Sequence, residues 1–236
     1  MGDRSRHDPD AASRDHEPAV TRIACVIFDL DGVLVDSEIW WDEVRQDFAA
    51  GHDRTWTAAD REAVMGANSA AWARIMRERL DLDMPEAEIE RAIVEGVVKR
   101  YRLEGPPLID GAVEAAKRIA AGYPVAVASS AHRAVIDAAL EATGLRGTFA
   151  VVVSSDEVDH GKPAPDVYLE TARRLGCDPA ACLVVEDSHN GVRAAKAAGM
   201  TVILVPNGSV PPAAGTEELA DRVVDRLADL DPLAIA

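Results

Sequence analysis

Five short apolar runs constrain this chain more than any other feature. They are Ile23–Leu30, Pro124–Ser129, Phe149–Ser154, Cys182–Glu186 and Thr201–Val205. Each is rich in β-branched residues and nearly continuous rather than alternating, the pattern of parallel strands covered on both faces. Helical stretches closed by glycine lie between them: Gly111–Ala121 before Gly122, Ala131–Thr143 before Gly144, Asp166–Leu175 before Gly176 and Ser188–Ala198 before Gly199. Each glycine stands where a left-handed C-cap residue is expected. This alternation predicts a doubly wound parallel α/β sheet, Rossmann-like in architecture.

One interval breaks the alternation. From Ser37 to Glu104 only helices are expected, over Ser37–Ala50, Thr57–Val64, Ser69–Leu80 and Pro85–Arg102. In the last, Ile89, Ile93, Val97 and Tyr101 recur every four residues and form one apolar stripe. The chain therefore leaves the sheet after its first strand, builds a small helical unit and returns near Gly105. The expected organisation is a polar disordered tail at 1–19, an α/β core at 20–36 and 105–236, and an inserted helical cap at 37–104.

The net charge of -16 and the lack of any Lys/Arg cluster argue against nucleic acid or anionic membrane as partner. No apolar stretch reaches the length of a membrane span, and the first residues lack the apolar centre of a signal peptide. Cys25, Cys177 and Cys182 have no zinc-site spacing and read as small hydrophobes in a reducing cytoplasm. A monomer or weak dimer is expected.

Four motifs fall at consecutive strand ends. The first strand runs into Asp29-Leu30-Asp31-Gly32. In extended chain its two carboxylates point the same way, towards the crevice where open α/β sheets bind ligands. Two like charges this close imply a metal site or an acid–base couple, against the alternative of a strand running into an acidic loop. Ser129-Ser130 follows the second strand, where a hydroxyl and helix N–H groups suit a phosphoryl group as readily as an ordinary N-cap. Gly161-Lys162-Pro163-Ala164-Pro165 holds one cation on a stiff loop, or merely a surface lysine in a turn. Glu186-Asp187-Ser188 again sets two acids at a strand end, or in an acidic first helical turn.

Taken together, the order Asp-x-Asp, Ser, Lys-Pro, Glu-Asp resembles the haloacid dehalogenase-like hydrolase superfamily. The likeness covers about Ile23 to Val205, and the helical insert resembles the cap of the subgroup holding phosphoglycolate phosphatases and β-phosphoglucomutase. The resemblance implies a Mg²⁺-dependent phosphatase acting on a small phosphorylated metabolite through an aspartyl-phosphate. It makes Asp29 the nucleophile and Asp31 the acid and base. The metal is expected on the Asp29 carboxylate, the Asp31 carbonyl and Asp187, with Glu186 a ligand or a neighbour of one. Lys162 and Ser129 would hold the phosphoryl oxygens, with help from Ser130. The cap loop Val64–Ala70, including Asn68, is expected to contribute specificity.

Sugar-phosphate mutases of this subgroup carry a His just after the first motif and a Ser-Arg pair in the cap loop. The stretches here are Ile39-Trp40-Trp41 and Met65-Gly66-Ala67-Asn68-Ser69, with neither the His nor the Arg, so a phosphatase is favoured over a mutase. As helix neighbours, Trp40 and Trp41 face directions about 100° apart, so at most one is expected to see substrate. A receiver-type signalling domain also sets aspartates, a hydroxyl and a lysine at strand ends, but has no need of a cap.

Overall fold

A computed structural model describes residues 22–64 and 67–231. The expected tail at 1–19 lies outside them. Six strands form one parallel sheet: β1 Cys25–Phe28, β2 Val125–Ser129, β3 Val151–Ser154, β4 Cys182–Glu186, β5 Thr201–Leu204 and β6 Arg222–Val223, in the order β3-β2-β1-β4-β5-β6. The first five fall within the five apolar runs. The sixth is two exposed residues, too short and too polar to carry an apolar signature.

Alternate residues of the central strands enter two separate apolar layers, as the period-two geometry of a strand requires. Val26, Phe28, Val127, Leu183 and Val185 pack on one face, and Cys25, Ile27, Ala126, Ala128 and Val184 on the other. Both layers are covered by helices, so every residue of β1, β2 and β4 is buried. On the first face lie α5 (Ala112–Ala120) and α6 (Arg133–Ala142); on the second lie α7 (Asp166–Leu175) and α8 (His189–Ala197). Cys25 and Cys182, register partners on adjacent strands, are free thiols with sulfurs 3.3 Å apart.

Between β1 and β2 the chain passes through α1 (Glu38–Gly51), α2 (Ala58–Val64), α3 (Ser69–Arg79) and α4 (Glu86–Glu104) before α5. The α4 stripe is as expected: Ile89, Ile93, Val97 and Tyr101 are all buried. Each aliphatic side chain there contributes about 1.5–3 kcal/mol. Their layer is continuous with the first face of the sheet through α4 and α6, so the helical insert is packed onto the core. A short α9 (Thr216–Leu219) follows β5.

Three of the four helix-closing glycines, Gly144, Gly176 and Gly199, adopt positive φ. Gly122 does not, contrary to expectation. There the Gly122 and Tyr123 N–H groups both donate to the Ile119 carbonyl, and the turn closes without a left-handed residue.

Candidate active site

The strand order reverses between β1 and β4, because the chain moves outward from β1 in one direction to β3 and in the other to β6. At such a switch point the loops diverge and leave a crevice. Asp29 follows β1 and Asp187 follows β4, so the two carboxylates meet there. Asp29, Glu186 and Asp187 each bring a carboxylate oxygen within 4.8 Å of the others.

Gly32 explains how they come so close. Its φ is +85°, which side-chain-bearing residues avoid, and a Cβ would lie 1.9 Å from Asp187 Oδ2. The first motif thus turns sharply and Asp187 occupies the space a side chain would fill. Gly191, in the first turn of α8, does the same for Glu186, whose Oε1 would be 1.6 Å from a Cβ.

Lys162 reaches the floor of the crevice from the loop before α7, where the Lys162–Pro163 peptide is cis. It is 7% exposed and donates to Asp29 Oδ1 at 2.6 Å, Glu186 Oε1 at 2.7 Å and the Ala128 carbonyl at 3.2 Å. All three ammonium hydrogens are used. The surface-lysine alternative is therefore excluded. Burial works against its charge, but Asp29 and Glu186 hold the ammonium well above the usual lysine range.

Glu186 is fully buried and accepts five hydrogen bonds. Oε1 takes Lys162 and the Tyr168 hydroxyl, at 2.7 Å each; Oε2 takes the Asp187 and Ser188 N–H groups and the Ser188 hydroxyl, at 3.0 Å each. Both oxygens are occupied by protein donors, and although burial opposes it, Lys162 keeps this carboxyl below its ordinary range. Asp187 differs: its carboxylate has no hydrogen-bond donor among the described residues. Burial, with Glu186 and Asp29 adding to it, pushes Asp187 well above the usual range. Burial likewise pushes Asp29 up to about 8 against the pull of Lys162, with Glu186 and Asp31 adding to the rise. Asp31 is raised by burial and opposed by the Ser37 hydroxyl, which donates to its Oδ1.

Four carboxylates thus face one ammonium. Hard oxygen donors with uncompensated negative charge are what a divalent cation requires, and the residues present fit one. A second cluster, Glu90, His132 and Asp156, does not fit. His132 Nδ1 accepts from the Ala134 N–H as the N-cap of α6, so the ring proton sits on Nε2, the nitrogen facing Glu90.

Above the crevice lies a cavity of about 750 Å³. Asp29, Asp31, Ser129, Ser130, Lys162 and Asp187 all line it. Ser129 Oγ accepts from the Ala131 N–H, which leaves its own hydrogen to donate. Asn68 is not among the lining residues; its Oδ1 accepts from the Ala71 N–H as the N-cap of α3. Trp41 lines the cavity, whereas Trp40 packs edge-on against Tyr101, so one of the pair faces the site.

Val64 and Ala67, from the cap loop expected to contribute specificity, line the cavity as well, but other parts of its walls were missed by sequence reasoning. Glu38 and Arg45 stand on the same face of α1 as Trp41, at the three- and four-residue spacings that could have revealed them. Val210–Ala213, in a proline- and glycine-rich segment after β5, closes another side and is tied to the start of the insert by Ser209 and Asn207, which donate to Asp36. Tyr168, which braces Glu186, carries no signal beyond its place on the buried face of α7.

These residues can be set beside known proteins. The family model of haloacid dehalogenase-like hydrolases matches residues 23–199. The bifunctional riboflavin kinase/FMN phosphatase of Arabidopsis thaliana is 33% identical over 219 residues, 88% of this chain; the chain spans 54% of that longer protein. The fructose-1-phosphate phosphatase YqaB of Escherichia coli is 32% identical over 191 residues, 77% of this chain and 96% of its own. The crystal structure of CbbY from Rhodobacter sphaeroides in complex with phosphate superposes with a TM-score of 0.77 at 29% identity, covering 90% of this chain and 98% of that one. With the motifs assembled at one switch point and the family match spanning most of the fold, the chain belongs to the haloacid dehalogenase-like hydrolases.

Proposed function

We propose that the protein is a Mg²⁺-dependent phosphatase that hydrolyses a small phosphate monoester through an aspartyl-phosphate on Asp29. The observation that carries this reading is the Asp29 carboxylate held 2.6 Å from a buried Lys162 ammonium at the floor of a cavity. A nucleophile and a fixed positive charge are adjacent where a phosphoryl group would sit.

In this reading Asp29 attacks phosphorus and forms the acyl-phosphate. Asp31, oriented by the Ser37 hydroxyl, gives a proton to the departing alcohol oxygen. It then takes a proton from the water that attacks phosphorus and frees Asp29; such transfers contribute about 10²–10⁴-fold. Lys162 and the Ser129 hydroxyl hold the phosphoryl oxygens, with Ser130 beside them. Asp29, Asp187 and the Asp31 carbonyl would hold Mg²⁺. When bound, the ion supplies positive charge to the phosphoryl oxygens. Glu186, filled by five donors, positions Lys162 rather than binding metal.

Residues 37–104 serve as the cap and 20–36 with 105–236 as the core, so the leaving alcohol lies against Trp41 and its neighbours. The size of the cavity supports a small phosphorylated metabolite, in keeping with relatives named as phosphatases of FMN and fructose 1-phosphate. A receiver-type signalling domain has no use for such a space. None of the described helices is long and apolar enough to cross a membrane. The free cysteines support a reducing, cytoplasmic location.

The test is hydrolysis of p-nitrophenyl phosphate. Activity is expected with Mg²⁺, lost with EDTA and restored by Mg²⁺. Asp29→Asn is expected to abolish turnover while circular dichroism shows a folded chain. A folded Asp29→Asn protein with near-normal turnover, or turnover persisting after exhaustive chelation, refutes the mechanism.

A further inference from the structure

One cation in the cavity is not used by the chemistry above. Arg45, on α1, lines the cavity wall opposite the core and is 7% exposed. Its guanidinium carbon lies 5.2 Å from the Trp41 ring centroid and 5.5 Å from that of Trp72. The buried Nε has no hydrogen-bond partner. Glu38 and Asp42 act on the charge through space, but no described residue forms an ion pair with it. Burial pulls the guanidinium down to about 10, the direction expected of a cation short of a partner.

A buried charge left without a hydrogen-bonded counter-ion is costly. The two indoles cover part of the guanidinium and give back a little through cation–π contact, but they accept no hydrogen bonds along its edge. A planar fork of donors matches a carboxylate or a phosphate. The Ser37 hydroxyl, just before α1, bonds Asp31, and Arg45 stands eight residues further, about 12 Å along the helix axis. Its side chain leans back over Trp41, one turn nearer the crevice. The guanidinium, which lines the cavity, therefore lies beyond the leaving-group oxygen, on the alcohol side of a bound ester.

From this geometry we infer that Arg45 is a specificity-determining residue, clamped between Trp41 and Trp72 to bind a second anionic group, a carboxylate or a phosphate, on the alcohol portion of the substrate. The inference rests on the phosphatase reading and narrows it to doubly anionic esters. It also supplies what the Ser69 region lacked, a cation on the insert that faces the site.

The test uses matched pairs: fructose 1-phosphate against fructose 1,6-bisphosphate for a second phosphate, and glucose 6-phosphate against 6-phosphogluconate for a carboxylate. Wild-type kcat/KM for phosphate release is expected to favour the doubly anionic member of one pair at least tenfold, and the preferred pair identifies the anion. In Arg45→Met that ratio is expected to fall about 10–100-fold, the loss of a hydrogen-bonded charged contact. Arg45→Lys is expected to keep part of it. Should the Met variant not fold, Arg45→Gln carries the same expectation. Hydrolysis without preference in either pair, or a preference unchanged in the neutral variant, overturns the inference alone. No hydrolysis of any ester, p-nitrophenyl phosphate included, overturns the phosphatase reading and the inference with it.

Discussion

Replacing Glu186 by Gln changes almost no volume, so its effect isolates the hydrogen bonding. All five contacts of this carboxylate are donors. An amide keeps one acceptor oxygen and presents a nitrogen that must face donors. Turning the nitrogen towards Ser188 would orphan two buried N–H groups, at about 1–3 kcal/mol each. Turning it towards Lys162 costs less: Tyr168 can rotate its hydroxyl to accept, and Lys162 keeps Asp29 and the Ala128 carbonyl. What is then lost is one charged hydrogen bond, about 1.5–3 kcal/mol, partly offset by relief of repulsion with Asp29 and Asp187. The expected destabilisation is about 2 kcal/mol, a fall in Tm of about 4–8 °C for a chain of this size. With the ammonium less tightly placed, kcat for p-nitrophenyl phosphate should drop on the order of 10²-fold. The Mg²⁺ half-saturation point should stay near wild type, whereas Asp187→Asn should raise it severalfold. Thermal melts in EDTA and Mg²⁺ titrations of turnover measure all three. Wild-type kcat and Tm in Glu186→Gln would refute the bracing role; an Mg²⁺ shift as large as that of Asp187→Asn would put Glu186 on the metal.

Gly32→Ala should force Asp187 aside, since a Cβ cannot sit 1.9 Å from its oxygen, and should cost roughly 1–2 kcal/mol for the left-handed backbone. The expected result is a folded protein needing more Mg²⁺ for half-maximal turnover; an unchanged titration would mean that Asp187 is not a ligand. At the start of α2, Asp60 accepts from the Thr57 N–H at 2.9 Å and hydroxyl at 2.6 Å and pairs with Arg79 at 2.9 Å. Burial pushes Asp60 up, but the Thr57 and Arg79 contacts outweigh it and leave its carboxyl below the ordinary range. A depressed pKa stabilises the fold above the unfolded value of about 3.9 and loses that contribution as pH falls through the folded value. Asp60→Ala should therefore cost about 1 kcal/mol at pH 7 and progressively less below pH ~4; a cost that is the same at pH 7 and pH 3 in denaturant melts would refute the assignment.

The sheet was legible because burial confines polar residues to the ends of β1 to β5 and leaves nearly continuous apolar runs between them. The gathering of side chains at its edge was legible because strand ends fix their direction: Asp29, Ser129, Lys162 and Asp187 were each placed by the strand or loop that carries them, and all four line one cavity. What was not legible depends on contacts between distant segments. Glu186 reads as one of two acids in a row, and only its surroundings separate it from Asp187: Tyr168 and Lys162 on one side, the first turn of α8 on the other. Asn68 lies in the loop expected to touch substrate, but an Asn directly before a helix can cap it, and that local bond takes its oxygen. Arg45 was hidden by its type, since an Arg among charged residues on a helix ordinarily points to solvent. The stripe Glu38, Trp41 and Arg45 was readable, but not that α3 would bring Trp72 against it.

The charge distribution gives the site an order of events. The protein carries -16, and the crevice itself holds Asp29, Asp31, Glu186 and Asp187 against Lys162. A phosphate ester approaching that set meets net negative charge at long range and at short range alike. The cations that could reverse this act locally: Lys162 at the floor and Arg45 on the wall. Lys162 is fully engaged by Asp29, Glu186 and the Ala128 carbonyl, so it cannot greet a second anion without loosening its hold on the first. Asp29 and Asp187 would hold a divalent ion whose charge would balance Asp29, and Lys162 would then be able to turn a hydrogen towards a phosphoryl oxygen. Metal before substrate is the sequence these charges favour. The acidity that repels anions at long range is, inside the crevice, the charge that a divalent ion would balance.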